Sequence, residues 1–524
     1  MTVEPELATW RELTGGRTDG IGAMPEPFGL LIGACGARPP ELDRALRSPG
    51  VDACQDAVDA LSSEGAPAGP EGLFLGATIW RAVMQAWLAY MTADLGLLER
   101  AVAGVRPVLA APSAPLDVGA AALLLRGAAA GASGQPSDRA VRDLMLASEL
   151  FDAATCHAES AVARYCLART LLALGMDDRA EAQAERARSM LDPVREPGEY
   201  AFVATGSAEL RLALSRDEEG LEAALRLFED AVSAAARSLS PLLRARVEWR
   251  FAAALQGAPM APPEHVQRAV TYLTAALGVL EPAGAVLPIG LATEAATVRL
   301  HLATALQALG GSALAGAVGQ YRRALRVLTR DDHPLEYALI HTNLATAYLA
   351  TVDATAGVGE RGQHRPALGQ HRPALGQPAG ATGHQVLAVQ SYEEALSVYT
   401  LEDHPAEHAM VQNNLANALQ YLPSAHPVEN LDRAIRCYWA ALEIRTAETA
   451  PLEHARTQAN LANALANFPA EDRRRSLGDS ARAYGAALEI FRRLGCVNEA
   501  LLTKEALGDV ERDLLALQLE GERS

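Results

Sequence analysis

The residue pattern closest to chemistry in this sequence is His404-Pro405-Ala406-Glu407-His408, two imidazoles around a carboxylate in the His-x-x-Glu-His order of a hydrolytic zinc site. Such a site needs both rings on one rigid helical face, and Pro405 puts His404 at a helix boundary instead. The neighbouring sequence reads His333-Pro334-Leu335-Glu336-Tyr337 and Ala450-Pro451-Leu452-Glu453-His454 at the same place, so the histidines exchange with tyrosine and alanine. No metal ligand is assigned there. Cys156-His157 with Cys166 offers a thiol and an imidazole, but helical spacing gives both cysteines ordinary packing roles. Gly357-Val358-Gly359-Glu360-Arg361-Gly362 has the letters of a dinucleotide fingerprint, yet no strand precedes it. Lys504 is the only lysine, which excludes a phosphate loop whose lysine follows glycine and disfavours Schiff-base chemistry. No Gly-x-Ser-x-Gly elbow is present. The expectation is a protein that is not an enzyme and binds no cofactor.

The elements that would carry any site repeat. Leu302-Ala303-Thr304, Leu344-Ala345-Thr346, Leu415-Ala416-Asn417 and Leu461-Ala462-Asn463 are each followed by a tyrosine, and Tyr321, Tyr392, Tyr438 and Tyr484 stand 71, 46 and 46 residues apart. Each tyrosine has Ala-Leu three residues on, and Pro334, Pro405 and Pro451 open units whose Glu336, Glu407 and Glu453 follow two residues later. A period this long means stacked supersecondary units. Within a unit, Ala409, Val411, Leu415, Ala416, Ala418 and Leu419 recur at helical spacing from Pro405 to Tyr421. A second helix, about Val428 to Thr446, repeats the logic with Leu431, Ala434, Ile435, Tyr438, Ala441 and Leu442. Alanine lets the two backbones approach closely, and a stack of such hairpins buries apolar faces that one alone would expose.

At these residues the chain resembles tetratricopeptide repeats, which place Leu, a small residue and an aromatic or apolar residue on the first helix, then Ala, aromatic and Ala on the second. Leu344-Ala345…Tyr348 with Ala388…Tyr392…Ala395 matches all six positions. The Asn413-Asn414-Leu415-Ala416 opening is similar to kinesin-light-chain-like repeats and to the arrays of large bacterial signalling proteins. The period of about 46 exceeds the usual 34 and lies in the range of HEAT-like helix pairs, which stand as the alternative. The resemblance implies an all-α fold, a right-handed α-solenoid of antiparallel helix pairs.

It also implies where a partner would lie. First helices of such repeats line a concave groove, and an asparagine just before the Leu-Ala pair commonly hydrogen-bonds a bound peptide's backbone; the matching residues are Asn343, Asn414 and Asn460, with His301 in the first unit. Asn417 and Asn463 fall three residues further on, and Tyr421 and Asn467 seven, so i, i+3 and i+7 spacing collects them on one helical face. Asparagine is a mediocre helix former, and its repetition at mid-helix argues for use. Two functions follow: an adaptor or scaffold holding a peptide segment or partner protein, or a peptide-responsive regulator partnered with a separately encoded effector.

Composition narrows the partner. With 524 residues, 49% hydrophobic content and 5% aromatics, close-packed alanine-rich helices are expected and almost no strand. A formal net charge of −18 disfavours nucleic acid, which calls for a clustered basic surface, and fits a neutral or basic protein partner. The start of the chain lacks a basic leader with an apolar core, and the most apolar run, Ala120 to Ala130, is broken by Arg126, so a cytoplasmic protein without a membrane segment is expected. Scattered cysteines without a Cys-x-x-Cys pair agree.

Along the chain, residues 1–38 read as an irregular lead and 39–290 as divergent helical repeats. Short helices are expected at Pro40 to Leu46 and Val51 to Leu61, and longer ones at Ala77 to Thr92, Leu95 to Leu109, Val118 to Ala130, Arg139 to Ala153, and onward in pairs to Glu264 to Leu280. The repeats proper span 291–496. A polar Gly/Pro-rich insert at 351–384, with the tandem copy Gly362-Gln363-His364-Arg365-Pro366-Ala367-Leu368 and Gly369 to Leu375, is expected to be disordered. Residues 497–524 should close the array as a capping helix and tail, with Leu501, Leu502, Leu507, Val510 and Leu514 covering the last repeat.

Overall fold

The computed structural model describes residues 71–521, apart from 93, 113, 133–135, 216, 239, 258–261, 282–286, 356–378, 425 and 470–471, together with residues 55 and 58. The expected N-terminal lead, the helix at Pro40 to Leu46, all but two residues of the next one, and most of the 351–384 insert lie outside the described residues. Among the described residues there is no strand. None of their helices is long and apolar enough to cross a membrane.

The helices are α1 (Glu71–Thr92), α2 (Leu95–Gly104), α3 (Arg106–Ala110), α4 (Leu116–Ala132), α5 (Asp138–Ala153), α6 (His157–Ala173), α7 (Asp177–Ser189), α8 (Pro197–Leu214), α9 (Glu218–Ala235) and α10 (Pro241–Gly257). They continue with α11 (Pro263–Leu280), α12 (Ile289–Leu309), α13 (Leu314–Ala324), α14 (Pro334–Thr355), α15 (Ala379–Leu396), α16 (Pro405–Gln420), α17 (Pro427–Ile444), α18 (Pro451–Asn467), α19 (Arg473–Arg493) and α20 (Val497–Gly521). The expected helix from Leu95 to Leu109 is split in two, because Pro107 can neither donate the helical hydrogen bond nor fit against the preceding turn. α14 and α15 each reach into the expected insert, to Thr355 and from Ala379. The described residues divide into two compact units, one up to residue 305 and one from residue 306 on, with the boundary inside α12.

In the second unit the heaviest packing is within consecutive pairs, α14 with α15, α16 with α17 and α18 with α19, and α20 packs on α19. In the first, α4 with α5, α6 with α7, α8 with α9 and α10 with α11 do the same. Each helix opened by a proline uses it where the missing N–H is an orphan anyway: Pro405, Pro427 and Pro451 stand in the first turn. Glu407 and Glu453 then sit in the same first turn, where a carboxylate meets the positive end of the helix dipole. That explains the Pro-x-Glu spacing of the repeats.

The two helices of a pair bury differently. First helices such as α16 are buried on nearly every side, from Ala409 through Leu419, because a helix lies on each flank and the pair partner behind. Second helices bury one stripe, made of a small residue, a large one four residues on and an alanine three further. Ala388-Tyr392-Ala395 and Ala434-Tyr438-Ala441 are fully buried, as are Ala317-Tyr321-Ala324. Burial of one such ring is worth about 2–3 kcal/mol.

The same stripe runs through the first unit, as Ala140-Leu144-Ala147, Ala180-Ala184-Ala187, Ala224-Phe228-Ala231 and Ala269-Leu273-Ala276, all buried. Leucine, alanine or phenylalanine there replaces tyrosine. Phe228 stacks on Phe251 at 5.6 Å. The fold is thus an all-α array of helix pairs in both units.

At the C-terminal end, Val510 is buried in a cluster with Tyr484, Ala487 and Phe491, and Leu507, Leu514 and Leu517 pack against it. Leu501, expected to cover the last repeat, is 65% exposed, and Thr503 is the buried residue of that turn.

Candidate functional site

The amide row lies on α14, α16 and α18. Each asparagine holds the place just before a buried Leu-Ala pair, so packing of leucine and alanine against the second helix fixes which way the row turns. Asn343 is half-buried, and among the described residues its amide has no hydrogen-bond partner. Asn414 and Asn417 are only 1% and 2% exposed. Asn460 and Asn463 are half-buried, Asn467 is exposed and Tyr421 is half-buried.

These residues form a ladder between adjacent first helices. Asn460 Nδ2 donates to Asn413 Oδ1 at 3.4 Å, and Asn413 Nδ2 in turn donates to Asn414 Oδ1 at 3.4 Å. Asn463 Nδ2 donates to the Tyr421 hydroxyl at 3.0 Å. Burial pushes the Tyr421 phenol up to about 12, with the Asn463 bond opposing the shift. Asn467 Nδ2 turns back to the Asn463 carbonyl at 2.8 Å. The structure therefore links Asn460 to Asn414 through Asn413, and separately links Tyr421, Asn463 and Asn467.

Asn417 has an internal task that sequence spacing did not disclose. The Tyr438 hydroxyl donates to Asn417 Oδ1 at 2.7 Å, with Gln420 Oε1 a second acceptor at 3.0 Å. Two repeats earlier the equivalent tyrosine, Tyr321, reaches Gln307 Oε1 at 2.9 Å, and Tyr392 meets Thr346 Oγ1 at 3.1 Å. The readable signal was the polar residue on the first helix ahead of Tyr321, Tyr392 and Tyr438. What the ladder leaves over are two donors: Asn414 Nδ2 and Asn417 Nδ2 are buried with no partner. His301, the first unit's residue at this position, is 5% exposed and stacks on Trp249 at 5.9 Å.

The other chemical motifs resolve into structure. His408 Nδ1 donates to the Tyr399 carbonyl at 2.8 Å and His454 Nδ1 to the Arg445 carbonyl at 2.6 Å, each closing the loop between repeats. Tyr337, at the same place, bonds Glu394 Oε2 at 2.9 Å through its hydroxyl. The loop itself carries a clip not recognised from sequence: Thr329 pairs with Asp332 and Thr400 with Asp403, each hydroxyl donating at 2.9 Å. Thr446 and Thr449 take the same places at 3.0 Å. Cys166 is buried and its thiol is pushed up to about 12 by that burial, the opposite of an activated nucleophile. The Cys156 thiol is likewise raised by burial. Among the described residues no group of three or more His, Cys, Asp or Glu is placed to hold a metal ion.

No protein-family description matches this sequence. No curated protein is significantly similar to it. Among solved structures, the apo form of RapI is similar at 12% identity, covering 77% of this chain and 95% of that one, with a TM-score of 0.41. A STAND signal-transduction ATPase with a tetratricopeptide repeat sensor, from Pyrococcus horikoshii, is similar at 13% identity over 87% of this chain and 56% of that one, TM-score 0.40. A human IFIT1 dimer with m7Gppp-AAAA is similar at 14% identity over 88% of this chain and 95% of that one, TM-score 0.33. None of these likenesses bears on what this chain binds. By its own repeat residues and its pair-by-pair packing, the chain is a tetratricopeptide-repeat-like array.

Proposed function

We propose that this protein is a non-catalytic interaction scaffold that holds an extended segment of a partner protein along the amide row of α14, α16 and α18. The observation that carries this reading is the pair of buried donors, Asn414 Nδ2 and Asn417 Nδ2, that no group among the described residues satisfies. Such a donor costs about 1–3 kcal/mol until an acceptor reaches it. A peptide backbone supplies carbonyl acceptors at regular intervals, whatever its sequence. Asn343, Asn460, Asn463 and Asn467, the more accessible members, would make the first contacts, and the buried amides would be met as the ladder opens by one side chain.

The test replaces Asn343→Ala, Asn414→Ala and Asn460→Ala together. Each bond contributes about 0.5–1.5 kcal/mol net, so the triple variant should hold its partner roughly ten- to a thousand-fold more weakly. Proteins retained by the immobilised wild type and lost by the triple variant identify the partner, and circular dichroism should be unchanged or slightly more helical. A folded triple variant that retains the same set with the same affinity would refute the reading.

A further inference from the structure

α18 has a second face. Gln458, Leu461 and Leu465 lie at i, i+3 and i+7, turned well over a quarter of a helical circuit from the Asn460, Asn463 and Asn467 line, and they form one wall of an open cavity of about 840 Å³. Its other walls come from α17, α19 and α20, all in the second unit. Trp439 of α17 stands at the cavity with 51% of its surface exposed. Apolar surface is supplied by Leu465 and Leu514, whereas Leu461 is fully buried.

The charge at the rim is cationic, in a chain of net charge −18. Arg474, Arg475 and Arg482 line it with Asp472 and Asp479, and both carboxylates are already engaged. Asp479 pairs with Arg482, and Asp472 Oδ1 caps α19 by accepting from the Arg475 backbone N–H at 3.0 Å. Arg474 reaches only the Leu517 carbonyl, at 3.3 Å, and the Arg475 guanidinium has no partner among the described residues. Arg473, Arg474 and Arg475 also occupy the first turn of α19, where the helix dipole disfavours cations and a single carboxylate, the N-cap Asp472, stands against all three. An anion bound there would relieve both the dipole and the mutual repulsion.

Gly478 makes the room. It sits in the interior of α19, where glycine costs about 1 kcal/mol against alanine, and a Cβ there would meet nothing within 4 Å. No packing constraint within the fold accounts for it, and the space a side chain would take is the cavity.

We infer that this cavity binds an acidic peptide segment of a partner protein that carries an aromatic or apolar side chain. Carboxylates would pair with Arg474 and Arg475, and the apolar side chain would lie on Trp439 and Leu465. Gln458 and Gln518 line the cavity too, and Leu465 and Leu514 beside Trp439 favour an apolar side chain over a nucleobase. The site lies away from the amide row and stands or falls independently of it, and it reverses locally the charge preference that net charge suggests.

The experiment measures fluorescence anisotropy of fluorescein-labelled Glu-Asp-Glu-Phe-Asp-Glu-Asp with the full chain, beside the same peptide with glycine for phenylalanine and an eight-residue oligoadenylate. The phenylalanine peptide should bind at least ten-fold more tightly than either, and more weakly as salt rises. Gly478→Leu should weaken it at least ten-fold while the melting temperature holds or rises, since leucine favours the helix. Arg474→Glu with Arg475→Glu should weaken it at least as much, and the triple asparagine variant should leave it intact. No binding at 1 mM peptide, equal binding by Gly478→Leu, or tighter binding of the oligoadenylate would overturn the inference.

Discussion

The Tyr438 hydroxyl on α17 lies 2.7 Å from Asn417 Oδ1 on α16, so the two helices of one repeat are joined by a hydrogen bond between two fully buried side chains. Burial raises the tyrosine well above the ordinary phenol range, which keeps it a donor at any working pH. Tyr438→Phe leaves the Asn417 amide with neither polar atom satisfied and should cost about 1–3 kcal/mol in urea unfolding. Adding Asn417→Leu should recover part of that loss, because an apolar pair needs no partner. A Tyr438→Phe variant as stable as wild type would show that Gln420 or water serves Asn417 instead.

Gly206 on α8 lies directly against Tyr165 of α6. A Cβ there would overlap the ring and hydroxyl of Tyr165 on α6, which stands edge-on to Phe202 at 5.1 Å. Gly206→Ala should therefore destabilise the first unit by about 1–3 kcal/mol, by overpacking. Tyr165→Phe should not rescue it, since ring carbons as well as the hydroxyl are in the way, whereas Tyr165→Leu should. Thermal unfolding of the three variants decides it.

Much of the fold was legible because tyrosine and proline are rare enough to carry a period. Pro405 and Tyr438 marked helix start and core stripe within a residue or two. In residues 138–280 the same stripe was missed, since Ala180-Ala184-Ala187 in an alanine-rich chain offers no contrast to read. The burial of Asn414 and Asn417 was not legible either. It arises from helices on both flanks of α16, which spacing along α16 alone cannot reveal. The Trp439 cavity joins residues from four helices; its local traces were the arginine triplet opening α19 and an interior glycine.

His301 gives a pH dependence with a defined sign. Buried against Trp249, its imidazole is lowered from the usual 6.5 to about 4 by loss of solvation. Above pH 7 both folded and unfolded chains hold it neutral, and it contributes nothing. As pH falls below 6.5 the unfolded chain takes up a proton that the folded chain refuses until about pH 4, so stability falls with pH across that window, by up to about 3 kcal/mol. His301→Phe keeps the stacking and removes the titration. Urea unfolding at pH 7 and pH 4.5 should show a smaller loss for the variant than for wild type; equal losses would mean that His301 is protonated in the fold.

The last prediction separates loop closure from metal chemistry at His404 and His408. A carbonyl can only accept, so the 2.8 Å contact with Tyr399 fixes the His408 proton on Nδ1, and its Nε2 then accepts from Gln412 Nε2 at 3.3 Å. Both ring nitrogens are thus engaged within the fold. His404 instead packs edge-on to the Tyr399 ring at 5.7 Å. His408→Ala should cost about 1–2 kcal/mol by freeing the Tyr399 carbonyl, and His454→Ala a similar amount at the next loop. The double variant should lose their sum to within about 0.5 kcal/mol, because the two loops share no partner. Zinc chloride should leave the melting temperature of wild type unchanged; a rise abolished by His404→Ala would restore the metal reading and show that the loop rearranges to bind it.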